Sequence, residues 1–453
     1  MTDRAPDGAL SGRADRAAST AAAHDTTAQK TAQQDTSAPG FASGALPTIY
    51  AGSFGAFLGI AIADIVYPLL ILGLTGKPLL AGLFGAIQLT ALTLASIPAG
   101  GFADRHDRRR TLIGVETARA AVATVLAVSL AAGHVSLIEI YLTAAVLGAC
   151  QPFSGVRTLA LRKLAPADRL IKVLAVQQVV GATAQLVGPA LGTLLYSFDR
   201  SLPFAATAAG MAVSALCAFL VRFDGRPTPP TPLDTEPDGA AVSGGKQRGE
   251  GNLAGLGIIW RNPVMRGALI FVMLFNTVAM PLELVVLVRG RAEGVPTHFL
   301  GLILACGAAG ALLGAPLVPK LHARLRPGSM LTAFGLVVTA ACAAMALPFG
   351  GFVLAAGFLA IGFVVPAAQI LIDVLILQQV PDHQRGRVLG ALSTLIALGT
   401  PLGAVFGGTL LQITSATGVL CGIAGALACV TLYAVAHRGL RRAEWPAAPR
   451  PVS

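Results

Sequence analysis

Twelve separate stretches of mainly apolar residues, each about as long as the twenty or so residues a helix needs to cross a bilayer, run through this chain. Their expected spans are 48–74, 78–103, 110–132, 135–157, 172–197, 202–222, 264–289, 298–319, 329–348, 351–378, 387–412 and 416–437. The pattern predicts an all-α polytopic membrane protein. Composition agrees: 54% of the 453 residues are hydrophobic and 12% charged, against roughly 25% charged in soluble domains, which excludes a water-soluble enzyme. The 52 Gly and 28 Pro lie inside the apolar runs, where transmembrane helices tolerate them, and do not form low-complexity repeats.

The polar segments divide the chain. Residues 1–46, rich in Ala, Thr, Asp and Gln with no apolar signal-peptide core, are expected to be a disordered cytoplasmic tail. Residues 47–222 then form one six-helix bundle, 223–262 a cytoplasmic linker, 263–437 a second bundle and 438–453 a second tail. The net charge of +11 is a topology signal and does not point to nucleic acid. With both termini inside, the tails, the linker and the inner loops hold 28 of the 33 Lys and Arg residues, while the other side holds Lys77, Arg200, Arg289 and Arg291. Cytoplasmic loops carry that excess, so the expected orientation is N-in/C-in in a bacterial cytoplasmic membrane. The six cysteines all fall within or beside apolar spans without paired spacing. They read as small core residues, and no metal site or cofactor is expected.

The halves echo one another at an offset of roughly 215 residues. Pro98–Leu112 matches Pro316–Leu331, Pro152 with Pro166 and Asp168 matches Pro366 with Pro381 and Asp382, and Gly188-Pro189 matches Thr400-Pro401. Three matches in order argue for a duplicated, pseudo-symmetric pair of bundles, as in many transporters.

The most specific segment runs from Gly100 through Asp104-Arg105, Asp107, Arg108, Arg109 and Arg110 to Leu112. A carboxylate among four guanidiniums in a tight inner loop can pair with a neighbouring helix end and lock the inner face; the plainer reading is a positive-inside loop. The Gly-x-x-x-Asp-Arg spacing resembles the signature between the second and third helices of the major facilitator superfamily. Asp-Arg-x-Asp-Arg-Arg-Arg, with Asp107 where the superfamily usually has Gly, is similar to the branch of enterobactin exporters and macrolide efflux proteins. Glu116-x-x-Arg119, Trp260-Arg-Asn-Pro263 and Gln384-Arg-Gly-Arg387 fit that branch, over residues 48–437. The resemblance implies the major facilitator fold. Gly188-Pro189-Ala-Leu-Gly192 in the fifth helix resembles the antiporter signature and implies export, although Thr193 and Ala184 replace two of its glycines. Gly100, Asp104, Arg105, Arg108, Arg109, Glu116 and Arg119 are thereby implied as a cytoplasmic gate.

Ionisable groups within spans are functional candidates because insertion costs each about 2.5–3.5 kcal/mol. Asp64 lies some sixteen residues into the first span, so it is a candidate for proton coupling or substrate binding, or else a hydrogen-bonded packing site. Glu116 and Arg119, three apart, are expected to neutralise each other. Glu139 and Glu283 are expected within a turn or two of the outer surface, and Asp373 near the inner one. Gln88, Gln185, Asn276 and Gln369 could line the cavity or bridge helices.

The expected function is a monomeric secondary transporter with the lipid bilayer, protons and a small molecule as partners and no nucleic acid. It exports an amphiphilic antibiotic, siderophore or other secondary metabolite by proton antiport, and no ATP-binding loop is present. An uptake symporter, or a non-transporting receptor, is the alternative; His-Glu-x-x-His and Gly-x-Ser-x-Gly, which would suggest a membrane enzyme, do not occur.

Overall fold

A computed structural model describes residues 45–153, 155, 157, 161, 170–221, 260, 263–379 and 399–437. The expected tails at 1–46 and 438–453 lie almost wholly outside these residues, as do the linker and the start of the eleventh span. Among the described residues ten helices are long and apolar enough to cross a membrane, and Leu137–Phe153 is shorter.

The first half comprises α1 (Ala45–Thr75), α2 (Pro78–Arg105), α3 (Arg108–Ala131), α4 (Leu137–Cys150), α5 (Leu170–Phe198) and α6 (Leu202–Leu220). In the second half the seventh span is α7 (Pro263–Ala279) followed by α8 (Leu282–Ala292), and the eighth is α9 (Thr297–Gly314) with the short α10 (Val318–Arg324). Then come α11 (Pro327–Met345), α12 (Gly351–Gln379), α13 (399–413) and α14 (Ala416–Ala436).

The seventh span departs from expectation. It breaks at Met280-Pro281 and resumes as α8, which runs to Ala292 where a helix end near 289 was expected. Proline supplies no N–H and its ring crowds the preceding turn. The other intrahelical prolines, Pro68, Pro98, Pro189 and Pro366, leave α1, α2, α5 and α12 continuous.

Helix ends are set by local chemistry. Asp107 caps α3 by accepting from the backbone N–H groups of Arg109 at 2.8 Å and Arg110 at 3.1 Å. Ser136 and Glu139 form a reciprocal capping box on α4, so Glu139, expected merely to meet water, has a structural task. Gly76, Gly133, Gly294 and Gly350 each have φ between 65° and 75°, a left-handed conformation that costs glycine little.

Duplication is visible in the packing. In the first half α2 packs on α4 and α3 on α6; in the second, α9 packs on α12 and α11 on α14. These are the same partnerships, second with fourth and third with sixth span. The left-handed glycines repeat too, Gly76 with Gly294 and Gly133 with Gly350. Small residues bring helices together, as transmembrane packing without a hydrophobic drive requires: Gly55 of α1 and Gly210 of α6 face each other so closely that a Cβ on Gly55 would stand 2.5 Å from the Gly210 carbonyl oxygen.

Candidate functional site

The two halves meet through a second duplicated contact. Gly301 on α9 lies against the Pro189 carbonyl and the Thr193 hydroxyl of α5, and Gly82 on α2 lies against α13, where an added Cβ would be 2.7 Å from the Ala404 oxygen and 3.0 Å from Gly408 Cα. Fifth with eighth span and second with eleventh are equivalent partnerships, and both contacts lie towards the end of the molecule that carries Lys77 and Arg200. Thr193 is fully buried, and its hydroxyl sits 3.0 Å from the Pro189 oxygen in its own helix and 3.3 Å from the His298 oxygen in the other half.

The opposite face of the same α5 segment seats on α1. A Cβ on Gly188 would collide with Ala61, and one on Gly192 would lie 3.1 Å from both Ile62 and Val66. Gly188, Pro189 and Gly192 therefore wedge α5 between α1 and α9, on the α1 turn that carries Asp64. Thr193, a departure from the antiporter signature, supplies the hydroxyl at the junction of the halves.

Asp64 accepts a hydrogen bond from the Gln88 side-chain amide at 3.2 Å, tying α1 to α2. Glu283, in the first turn of α8, is exposed. The seventh span reaches further than expected, past 289 to Ala292. Glu283 stands nine residues before the end of α8, about 13 Å along the helix, which is further from that end than the turn or two expected for it. Counting from the halves' own repeat would have found it, since Asp64 and Glu283 stand 219 residues apart, the spacing of Gly82 and Gly301.

The other polar candidates are less gathered. Gln185, Asn276 and Gln369 are exposed on α5, α7 and α12, and Asn276 donates to the Val272 carbonyl at 2.9 Å within its own helix.

At the other end of the first half a buried charge cluster forms. Glu116 lies 3.5 Å from Arg119, but its close partner is Arg157 at 2.7 Å. Ser214 of α6 donates to the second carboxylate oxygen at 2.9 Å and accepts from Arg157 at 2.6 Å. Arg157 is the functional neighbour that sequence reading missed; it stands forty-one residues from Glu116, and no local pattern links them. Arg109 donates to the Val221 and Phe219 carbonyls, both at 3.0 Å, and so clamps α3 to the end of α6 within one half. Arg108 is half-buried. Gly100, Asp104 and Arg105 lie on the last turns of α2, with their side chains outside the described residues, as is that of Asp373.

At the far end of the second half, Arg289 is buried, bonded to Thr417, 2.9 Å from the Leu347 carbonyl and 2.7 Å from Glu293. Expected as a surface loop cation, it instead fastens three segments of that half.

Two duplicated helical halves that meet along paired crossings and carry polar groups between them define a membrane transporter. Residues 49–376 and 294–452 match the Major Facilitator Superfamily, and the chain belongs to that family. It is a multi-pass transporter and not an enzyme. It is 26% identical over 379 residues to the multidrug efflux pump Tap of Mycolicibacterium fortuitum, covering 81% of this chain and 89% of that one. Tap of Mycobacterium tuberculosis (strain ATCC 25618 / H37Rv) is 25% identical over 401 residues, 85% of this chain and 91% of its own. Among solved structures, a D323A mutant of the nucleoside transporter NupG superposes with a TM-score of 0.73 at 14% identity, over 87% of this chain and all of that one. A bacterial homolog of the human lysosomal transporter Spinster gives 0.61 at 14% identity over 91% of this chain. These two share the fold.

Proposed function

We propose that this transporter exports small amphiphilic molecules, such as antibiotics, siderophores or other secondary metabolites, from a bacterial cell in exchange for protons. Both termini lie in the cytoplasm, and the halves rock about a central site to give alternating access. The observation that carries this reading is the Asp64–Gln88 contact, which places a carboxylate and an amide together between α1 and α2 in the middle of the first half. A carboxylate held between two helices of a transporter is a place where a proton or a cation can bind and leave. Similarity to multidrug efflux pumps supports export, and so does the placing of Gly188-Pro189 against the Asp64 turn. The resemblance to enterobactin and macrolide exporters leaves the substrate open within that range. In the proposed orientation the end closed by Gly82 and Gly301 is the outer one, which corresponds to a state open to the cytoplasm.

Everted membrane vesicles test this reading. They should accumulate an exported drug when a proton gradient is imposed, and drug addition should discharge a preset gradient. Asp64→Asn and Glu283→Gln should each abolish the gradient-driven component while the protein still inserts. Accumulation in right-side-out vesicles would instead assign uptake.

A further inference from the structure

Two arginines on α8 work in opposite directions. Arg289 and Arg291 are two residues apart, so their side chains leave the helix about 200° from one another. Arg289 is bound to Thr417, the Leu347 carbonyl and Glu293, all in the second half. Arg291 reaches the first half: a β-carbon built on Gly73 of α1 would stand 4.0 Å from its Nη2 and 3.3 Å from the Tyr196 hydroxyl of α5. One short helix is thus fastened to its own half by one guanidinium and laid against the other half by the next.

The landing place suits a cation. Gly73 lies in the last turn of α1, which gives way to Gly76 with φ 65°, and the N–H of that glycine returns to the Leu72 carbonyl at 3.0 Å. The carbonyls beyond Leu72 have no N–H within the helix to accept from, and the partial negative charge gathered there attracts a cation. Gly73 presents no side chain, which leaves room for the guanidinium, and Tyr196 can accept a hydrogen bond through its hydroxyl oxygen. Gly73 and Tyr196 each stand four residues before a cation of the same end, Lys77 and Arg200. The meeting point therefore belongs to the end where Gly82 and Gly301 also bring the halves together.

We propose that Arg291 latches this end of the transporter: its guanidinium docks on the C-terminal turn of α1 beside Tyr196 when the halves are together, and α8, held to the second half by Arg289, withdraws it when they rock apart. The latch rests on the rocking motion proposed for transport, and on neither its direction nor its substrate.

Spin labels on non-canonical residues replacing Arg200 and Phe349, both exposed and one in each half at this end, would report the open-to-closed ratio in the full-length protein by electron–electron resonance. Arg291→Met, which keeps a comparable length and removes the charge, should raise that ratio about threefold, the effect of one cation lost from a helix C-terminus. Arg291→Lys, which keeps a cation there, should stay near wild type. Gly73→Leu, which takes the place of the guanidinium, should give the same rise, and adding Arg291→Met to it should change little further, since both remove one contact. An unchanged ratio in Arg291→Met, an equal rise in Arg291→Lys, or effects of Gly73→Leu and Arg291→Met that multiply as independent changes would overturn the latch. A single separation in the wild type at every pH and drug concentration would overturn the rocking motion and the latch with it. Opening that admits a membrane-impermeant label from the cytoplasmic side would overturn the proposed orientation and leave the latch standing.

Discussion

The hydroxyl of Thr193 on α5 lies 3.3 Å from the carbonyl oxygen of His298 on α9, a contact that joins one half of the transporter to the other. It sits beside Gly301, whose backbone rests on the Pro189 carbonyl. Gly301 adds no side chain of its own to this contact, so the size of residue 301 governs whether this end can close.

Gly301→Leu should therefore hold the halves apart at that end. Transport should fall at least about tenfold, because a state that cannot close removes one leg of the cycle, while membrane abundance stays near wild type. Cysteine labelling from that side should rise. Thr193→Val should be much milder, about 0.5–1.5 kcal/mol for one neutral hydrogen bond, and should leave labelling unchanged.

Gln88→Leu tests whether Asp64 must be held in place. A hydrogen bond to a charged group contributes about 1.5–3 kcal/mol, and its loss frees the carboxylate to leave its place beside α2. Gradient-driven efflux should drop with little change in protein level. An unchanged rate would show that α1 alone positions Asp64.

For the buried cluster the expected ranking follows from the distances. Glu116→Gln leaves two buried guanidiniums without a counter-charge and should be the most damaging single change, about 3–5 kcal/mol as for other broken buried pairs. Arg119→Gln should be milder, since Glu116 keeps Arg157 at 2.7 Å. Glu116→Gln combined with Arg157→Gln should recover more protein than Glu116→Gln with Arg119→Gln, because the second pair of changes strands the more tightly bound guanidinium. Membrane abundance and thermal midpoints of the four variants provide the comparison. A double variant restored in abundance yet inactive in proton-coupled flux would place Glu116 in the transport mechanism.

Asp107 distinguishes a cap from a gate. Asp107→Ala should destabilise the start of α3 by about 1 kcal/mol, and Asp107→Ser, which still accepts from the Arg109 and Arg110 N–H groups, should restore the midpoint. Loss of transport in Asp107→Ser would show that the negative charge itself matters.

The apolar runs disclosed most of the spans because lipid imposes length and hydrophobicity on any crossing helix. They could not disclose the break at Pro281, since proline at Pro68, Pro98, Pro189 and Pro366 looks the same in sequence and leaves the helix whole. The depth of Glu283 was lost with that break. Pairing within one helix was legible for Glu116 and Arg119, whose spacing of three fixes their neighbourhood; Arg157 reaches Glu116 only through the packing of separate helices. Of the basic loop, the sequence revealed the charge; the cap that Asp107 makes is local to the start of α3, whereas the job of Arg109 as a clamp on α6 depended on where Val221 ends its helix.

The repeated left-handed glycines, 76 with 294 and 133 with 350, have a genealogical consequence. A unit with an even number of crossings returns to the face it left, so two copies joined tail to head keep the same orientation and need only a polar tether. A unit with an odd number would have required an additional crossing or an inversion. The two halves synthesised as separate polypeptides should therefore find each other in the membrane through the α5–α9 and α2–α13 seams and rebuild the transporter.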